Sequence, residues 1–84
     1  MLNKFYTVSY FTDFGLRVYL SNVGFHVAAG KGIIFEPEFR NAQKFLTQTE
    51  AKVHANQAAQ TQNNKLIVQK HVIQDNGSVE ITLV

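Results

Sequence analysis

Three histidines are the residues of this 84-residue sequence best suited to metal binding or proton transfer. They are His26, His54 and His71, and only His54 has another potential ligand at helical spacing, Glu50 four residues before it. Glu50 is better explained as part of a helix cap. We expect His54 at the edge of a buried helix face and His71 on a solvent-facing strand position. The chain has no cysteine, which excludes thiolate sites and cysteine nucleophiles. We therefore predict no metal site and no cofactor.

Other chemically active residues do not form a catalytic pattern. The serines have no nucleophile-elbow context, and Asp13 and Asp75 fall in predicted turns. The segment at 24–31, GFHVAAGK, resembles a phosphate loop, but five residues separate its glycines and Gly32 replaces the required Ser or Thr. No catalytic residue can be assigned, and we expect a protein that is not an enzyme.

An aromatic and basic surface is the more promising binding site. All ten aromatic residues lie at or before Phe45. Strand alternation places Phe5, Phe11, Arg17 and Tyr19 together on the outer face of an N-terminal hairpin, with Lys31 in a loop nearby. Rings beside cations suit a protein interface or, as the alternative, stacking of single-stranded nucleic acid. Two other readings stay open: the segment at 30–45 covers this face, or a one-residue register slip exchanges the faces.

Two alternating segments position these residues. Residues 4–11 and 16–20 alternate as strands around a turn at 12–15, with Asp early and Gly late. Tyr6, Val8 and Tyr10 are assigned to the core, opposite the surface just described. The aliphatic residues of the second strand, Leu16, Val18 and Leu20, are assigned to the core with them.

One segment, residues 47–62, has a clear helix signature. Thr47 and Glu50 form a T-x-x-E capping box in which Glu50 reaches back to the cap amide, and Leu46 could staple on Ala51. The inner face of this helix consists of alanines: Ala51, Ala55, Ala58 and Ala59. The spacing of three at 39–45 predicts one short helical or 3₁₀ turn before it, and Asn63 or Asn64 is expected at its C-cap.

Two further strands, 65–73 and 79–84, flank an Asn76-Gly77 hairpin turn. In the first, Ile67, Gln69, His71 and Ile73 share one face. Residues 25–28 and 33–35 are candidates for additional short strands. The order of elements predicts an α+β domain: a small antiparallel sheet of two N-terminal strands and a C-terminal hairpin, with one main helix packed on one face.

Composition sets the remaining bounds. A chain of 84 residues with 45% hydrophobic residues indicates one globular domain, residues 1–84. Such a small core favours self-association. The net charge of +2 does not indicate an electrostatic nucleic-acid binder. No apolar run approaches the length of a membrane span and no signal peptide is evident, so we expect a cytoplasmic protein without membrane contact.

The segment at 41–51, NAQKFLTQTEA, carries the pattern A-x-x-F-x-T-x-x-E-A. Together with the preceding strands, it resembles small bacteriophage and prophage proteins of Gram-positive bacteria. The resemblance implies that Ala42 and Phe45 pack the lead-in turn and that Thr47, Glu50 and Ala51 begin the helix. It also implies that the chain is an accessory protein of a phage or another mobile element in a bacterial host. We therefore expect a non-catalytic protein-binding module whose partner is another protein or a second copy of the chain.

Overall fold

In the part of the chain that the structure describes, a five-stranded antiparallel sheet carries one helix on its face. The computed structural model describes residues 3–21, 34–60 and 64–84. The elements are β1 (Lys4–Phe11), β2 (Arg17–Ser21), β3 (Ile34–Glu36), a 3₁₀ turn (Phe39–Asn41), α1 (Gln48–Ala59), β4 (Ile67–Ile73) and β5 (Val79–Leu83). The strand order is β3-β2-β1-β4-β5, so β1 lies at the centre and pairs with both β2 and β4.

The predicted α+β class, with a helix on an antiparallel sheet, is confirmed, but the described residues form five strands instead of two plus a hairpin. The additional strand is β3, which pairs with β2 over three residues. Three residues are too few to show a strand's alternation in sequence, and Pro37 then ends the strand because it lacks an N–H donor. The other candidate strand, 25–28, lies outside the described residues.

The two hairpin loops of the sheet have the same construction. In the first, the Thr12 amide donates to the Leu16 carbonyl (2.8 Å), and the Gly15 amide donates to the Thr12 carbonyl (2.9 Å). In the second, the Gly77 amide donates to the Gln74 carbonyl (2.9 Å). Both glycines have positive φ, +82° and +87°, which other residues rarely adopt. Each loop is therefore a three-residue connection that ends on a left-handed glycine, one residue longer than an Asn-Gly turn.

The helix begins where its cap predicts. Thr47 is the N-cap, and its hydroxyl accepts a hydrogen bond from the Glu50 amide (3.2 Å). The Glu50 carboxylate accepts a hydrogen bond from the Leu46 amide (3.4 Å). The capping box predicted this bond from the amide of Thr47, one residue later. Leu46 itself is largely exposed. The helix ends at Ala59 with Gln60 as a right-handed C-cap, so the predicted end at residue 62 with an Asn cap is wrong.

The core lies between α1 and the central strands. Ala51, Ala55 and Ala58 are buried, and small side chains there let the helix approach β1 and β4 closely. Ala59, the last residue of the helix, is exposed, so its predicted place on the inner face is wrong. The larger members of the core cluster come from the sheet and the lead-in: Tyr6, Val8, Leu20, Phe45 and Val68.

Phe45 takes a place in the sheet beside β1. Its backbone exchanges two hydrogen bonds with Tyr6, each of 2.8 Å. Its ring is almost fully buried in the core. The predicted inner positions Tyr6, Val8, Val18 and Leu20 are confirmed, whereas Leu16 precedes β2 and is half exposed.

Candidate functional site

The sheet face away from α1, termed the open face, carries the predicted binding residues. Register places Phe5 opposite His71, Ser9 opposite Tyr19 and Phe11 opposite Arg17. Odd-numbered residues of β1 and β2 therefore share this face, opposite the buried Val8 and Leu20. Sequence alternation alone predicts this grouping, and the structure brings four of the five predicted residues to one face. The fifth, Lys31, lies outside the described residues.

A groove on the open face has a volume of about 370 Å3. We call it the aromatic groove. It is lined by Phe5, Arg17, Tyr19, Phe39, Gln69, His71, Val79 and Ile81. Three of the predicted binding residues are in this set, and Phe11 lies outside it. No carboxylate is among the described residues that line the groove.

Phe39 of the 3₁₀ turn lies over the middle of the open face. Its ring centroid is 5.4 Å from that of Tyr19, 6.2 Å from Phe5 and 5.2 Å from His71. Phe5 is only 5% exposed as a result, so it forms the floor of the groove instead of an exposed contact. The segment at 30–45 thus covers part of the aromatic surface, as one of the open readings held. Phe39 keeps 39% of its own surface exposed.

His71 is buried, not solvent-facing as the strand pattern had suggested. It is 1% exposed, and its ring stacks on Phe5 at 4.7 Å with an angle of 6°. Its Nε2 lies 2.9 Å from Oγ1 of Thr7 and hydrogen-bonds with it, while no described residue partners Nδ1. Burial lowers the pKa of His71 below 6.5, and the nearby charges of Lys44 and Arg17 lower it further. His71 is therefore a neutral ring that builds the groove wall.

Arg17 is held in place by β1 and β4. Its Nη1 donates to Oγ of Ser9 (2.9 Å) and to Oε1 of Gln69 (2.8 Å). Its guanidinium carbon lies 4.4 Å from the centroid of the Phe11 ring. These three contacts fix an otherwise flexible side chain, so the cation has a set position on the open face.

Lys44 supplies a second cation at the groove. Its Nζ lies 5.7 Å from the Phe5 centroid and 5.5 Å from the Phe39 centroid. Residue 44 reaches this face because Phe45, the next residue, points into the core. Arg40, by contrast, forms an exposed ion pair with Glu38 (2.6 Å). The open face therefore presents positive charge beside aromatic rings at Arg17 and Lys44.

An apolar row continues from the groove along β5. Register places Ile81 opposite His71 and Leu83 opposite Gln69, so Val79, Ile81 and Leu83 also lie on the open face. These three residues, termed the β5 stripe, are 49%, 51% and 72% exposed. Isolated exposed aliphatic residues are ordinary, but a row of three beside an aromatic groove forms a continuous apolar surface.

The described part of the chain contains no group of side chains suited to holding a metal ion. No three His, Asp or Glu side chains there group closely enough to hold a metal ion. His54 is half-buried, and its ring centroid lies 4.7 Å from that of Phe45. Its Nδ1 donates a hydrogen bond to the backbone carbonyl of Glu50 (2.9 Å). No described helix is long and apolar enough to cross a membrane.

Five residues that line the groove were not predicted as binding residues from the sequence: Phe39, Gln69, His71, Val79 and Ile81. Alternation does place Gln69 and His71 on one strand face, and Val79 and Ile81 on another. What it lacks is the pairing of β1 with β4, which brings those faces beside Phe5 and Arg17. Phe39 carries no periodic signal because it lies in a short turn.

The search for relatives gave no match: neither a family model, nor a curated protein, nor a solved structure resembles this chain significantly.

Proposed function

We propose that this chain is a non-catalytic protein-binding module that binds its partner with the open face. The observation that carries the proposal is the continuity of the aromatic groove with the exposed β5 stripe. Protein interfaces are enriched in aromatic residues and arginine at their centre. The groove has this composition, with Phe5, Tyr19, Phe39 and a fixed Arg17.

The shape of the surface favours a protein over a small molecule. Small-molecule sites are concave and bury most of the ligand surface. Here the apolar surface continues out of the groove along β5, where Leu83 is 72% exposed. A partner that covers both the groove and the stripe must be extended, as a polypeptide is.

The positive charges beside the groove indicate which chemical groups a partner should place there. Arg17 and Lys44 lie at the aromatic rings, and none of the groove-lining residues that the structure describes is a carboxylate. An apolar side chain next to a carboxylate would fill the groove and pair with one of these cations. The resemblance of the 41–51 segment supports placing this module among the accessory proteins of phages and prophages, acting in the cytoplasm of a bacterial host.

Site-specific photo-crosslinking tests the proposal. A photoreactive residue replaces Tyr19, at the groove, and in a control chain it replaces Gln57, exposed on the helix. We expect a discrete protein adduct from position 19 in host cells and none of that mass from position 57. Equal adducts from both positions, or none from either, would contradict an interface on the open face.

Binding of single-stranded nucleic acid is the second candidate. It is favoured by cations near ring faces, with Arg17 at 4.4 Å from the Phe11 centroid and Lys44 at 5.5 Å from that of Phe39. Stacking needs free ring faces, however, and the Phe5 ring is already packed between its neighbours. A salt titration with labelled single strands separates the two functions, because phosphate contacts strengthen at low salt. We expect no binding at low salt; strong, salt-sensitive binding would favour nucleic acid.

A further inference from the structure

The two edges of the sheet differ in how well they are protected from pairing with another strand. Edge β3 has three residues and is followed by Pro37. A short strand ended by proline is one of the devices that prevent edge pairing. Edge β5 has five residues and contains no proline and no lysine. Its only charged side chain is Glu80, which points to the helix side of the sheet, away from the β5 stripe.

The hydrogen-bond pattern shows which backbone groups of β5 point outward. The Val84 amide donates to the Val68 carbonyl (3.1 Å), and the Gln74 amide donates to the Ser78 carbonyl (2.7 Å). In an antiparallel ladder, hydrogen-bonded positions alternate along each strand. Even-numbered residues of β5 therefore bond to β4. The N–H and C=O groups of Val79, Ile81 and Leu83 point away from the sheet, and no described strand lies beyond them.

We propose that β5 pairs with β5 of a second copy of this chain, antiparallel about a two-fold axis at Ile81. This inference deepens the proposed function, on which it rests, by naming the partner of this edge. In this register Val79 lies opposite Leu83 of the second copy, and the Ile81 residues of the two copies lie opposite each other. All three outward residues then donate and accept backbone hydrogen bonds.

Side chains favour this register over its neighbours. On the helix side, Glu80 lies opposite Thr82 of the second copy, so no like charges meet. On the open face, the two β5 stripes become one apolar surface. A register centred on Glu80 would place two carboxylates opposite each other, which is unfavourable. A register centred on Thr82 would place Val79 past Leu83, the last residue of β5 in the second copy, and so outside the ladder of paired strand residues.

A proline substitution tests the pairing without touching the bonds between β4 and β5. Because the Ile81 amide points outward, Ile81→Pro removes a donor that only the second copy uses, and edge strands accept proline at such positions. Sedimentation equilibrium of the wild type should show mass rising from one chain to two across a concentration series. Ile81→Pro should stay at one chain with an unchanged circular dichroism spectrum. A wild type that stays monomeric at every concentration, or an Ile81→Pro variant that still dimerises, would overturn the pairing.

Cysteine pairs test the register, and they do not depend on how Ile81→Pro folds. The chain has no cysteine of its own. A mixture of Glu80→Cys and Thr82→Cys chains should form a disulfide on mild oxidation, because these positions face each other at about 4.5 Å between Cα atoms. Glu80→Cys alone should form none, since its two copies would lie too far apart. The reverse result would overturn the Ile81-centred register. A protein adduct from position 19 with a different chain would still support the proposed function if this pairing failed.

Discussion

Acidification should destabilise the fold through His71. The ring is 1% exposed, stacks on Phe5 at 4.7 Å and has one hydrogen-bond partner among the described residues, Oγ1 of Thr7 at 2.9 Å. A protonated ring would carry a buried charge beside the positive side chains of Lys44 and Arg17. The folded protein therefore disfavours proton uptake at His71 more than the unfolded chain does.

The sign of the effect follows from the direction of the shift. The pKa of His71 is lowered in the folded state from 6.5. Below about pH 6.5, the unfolded chain binds a proton that the folded chain resists. This contribution to stability is present in full above the unfolded pKa and is lost as the pH falls toward the folded pKa. One such group gives a slope of at most about 1.4 kcal/mol per pH unit.

Urea unfolding at a series of pH values measures this slope. We expect the free energy of unfolding to fall as the pH is lowered from about 7.5 to about 5.5, more steeply in the wild type than in His71→Gln. His54→Gln is the matched control, since it makes the same change at a histidine on the helix. If the free energy of unfolding depends equally on pH in the wild type and in His71→Gln, the role given to His71 is refuted. It is also refuted if the pH dependence disappears only in His54→Gln.

Three further substitutions test the fold. Thr47→Ala should lower the free energy of unfolding by about 1 kcal/mol, whereas Thr47→Ser, which keeps the capping oxygen, should not; equal losses in thermal unfolding would refute the cap. Gly77→Ala should cost about 1 kcal/mol through backbone strain alone, because no atom of the described residues lies within 4 Å of an added Cβ. Gly77→Asn should cost less in the same urea titration, and a neutral Gly77→Ala would argue against the left-handed turn. Arg17→Met should cost about 1–3 kcal/mol because it leaves the buried Ser9 hydroxyl and the Gln69 amide oxygen without this donor. An unchanged urea midpoint would show that this network is not stabilising.

Local chemistry made several features predictable from the sequence. The Thr47 cap, the alanine face of α1 and the bounds of β1 each follow from short patterns. The grouping of Phe5, Phe11, Arg17 and Tyr19 also follows, because alternation and a short hairpin loop fix it locally. These are all interactions between residues close in sequence.

The features that were not predicted depend on contacts between segments that are far apart in the sequence. No local signal states that β4 pairs with β1, yet this pairing buries His71 beneath Phe39 and completes the groove. The burial of Phe5 also depends on a long-range contact, because the Phe39 ring that covers it lies in a turn far along the chain. Strand β3 was predicted only as a short candidate, since three residues carry little pattern.

The central claim, that the open face is a protein-binding surface, is tested most directly by one affinity measurement. The protein captured from position 19 is purified, and its dissociation constant is measured by titration calorimetry with wild type, Phe39→Ala and Phe14→Ala. Phe39 contacts three rings of the groove, whereas Phe14 is 98% exposed and does not line it. We predict a loss of at least about tenfold for Phe39→Ala and little change for Phe14→Ala. Equal affinities of all three folded proteins would contradict the account.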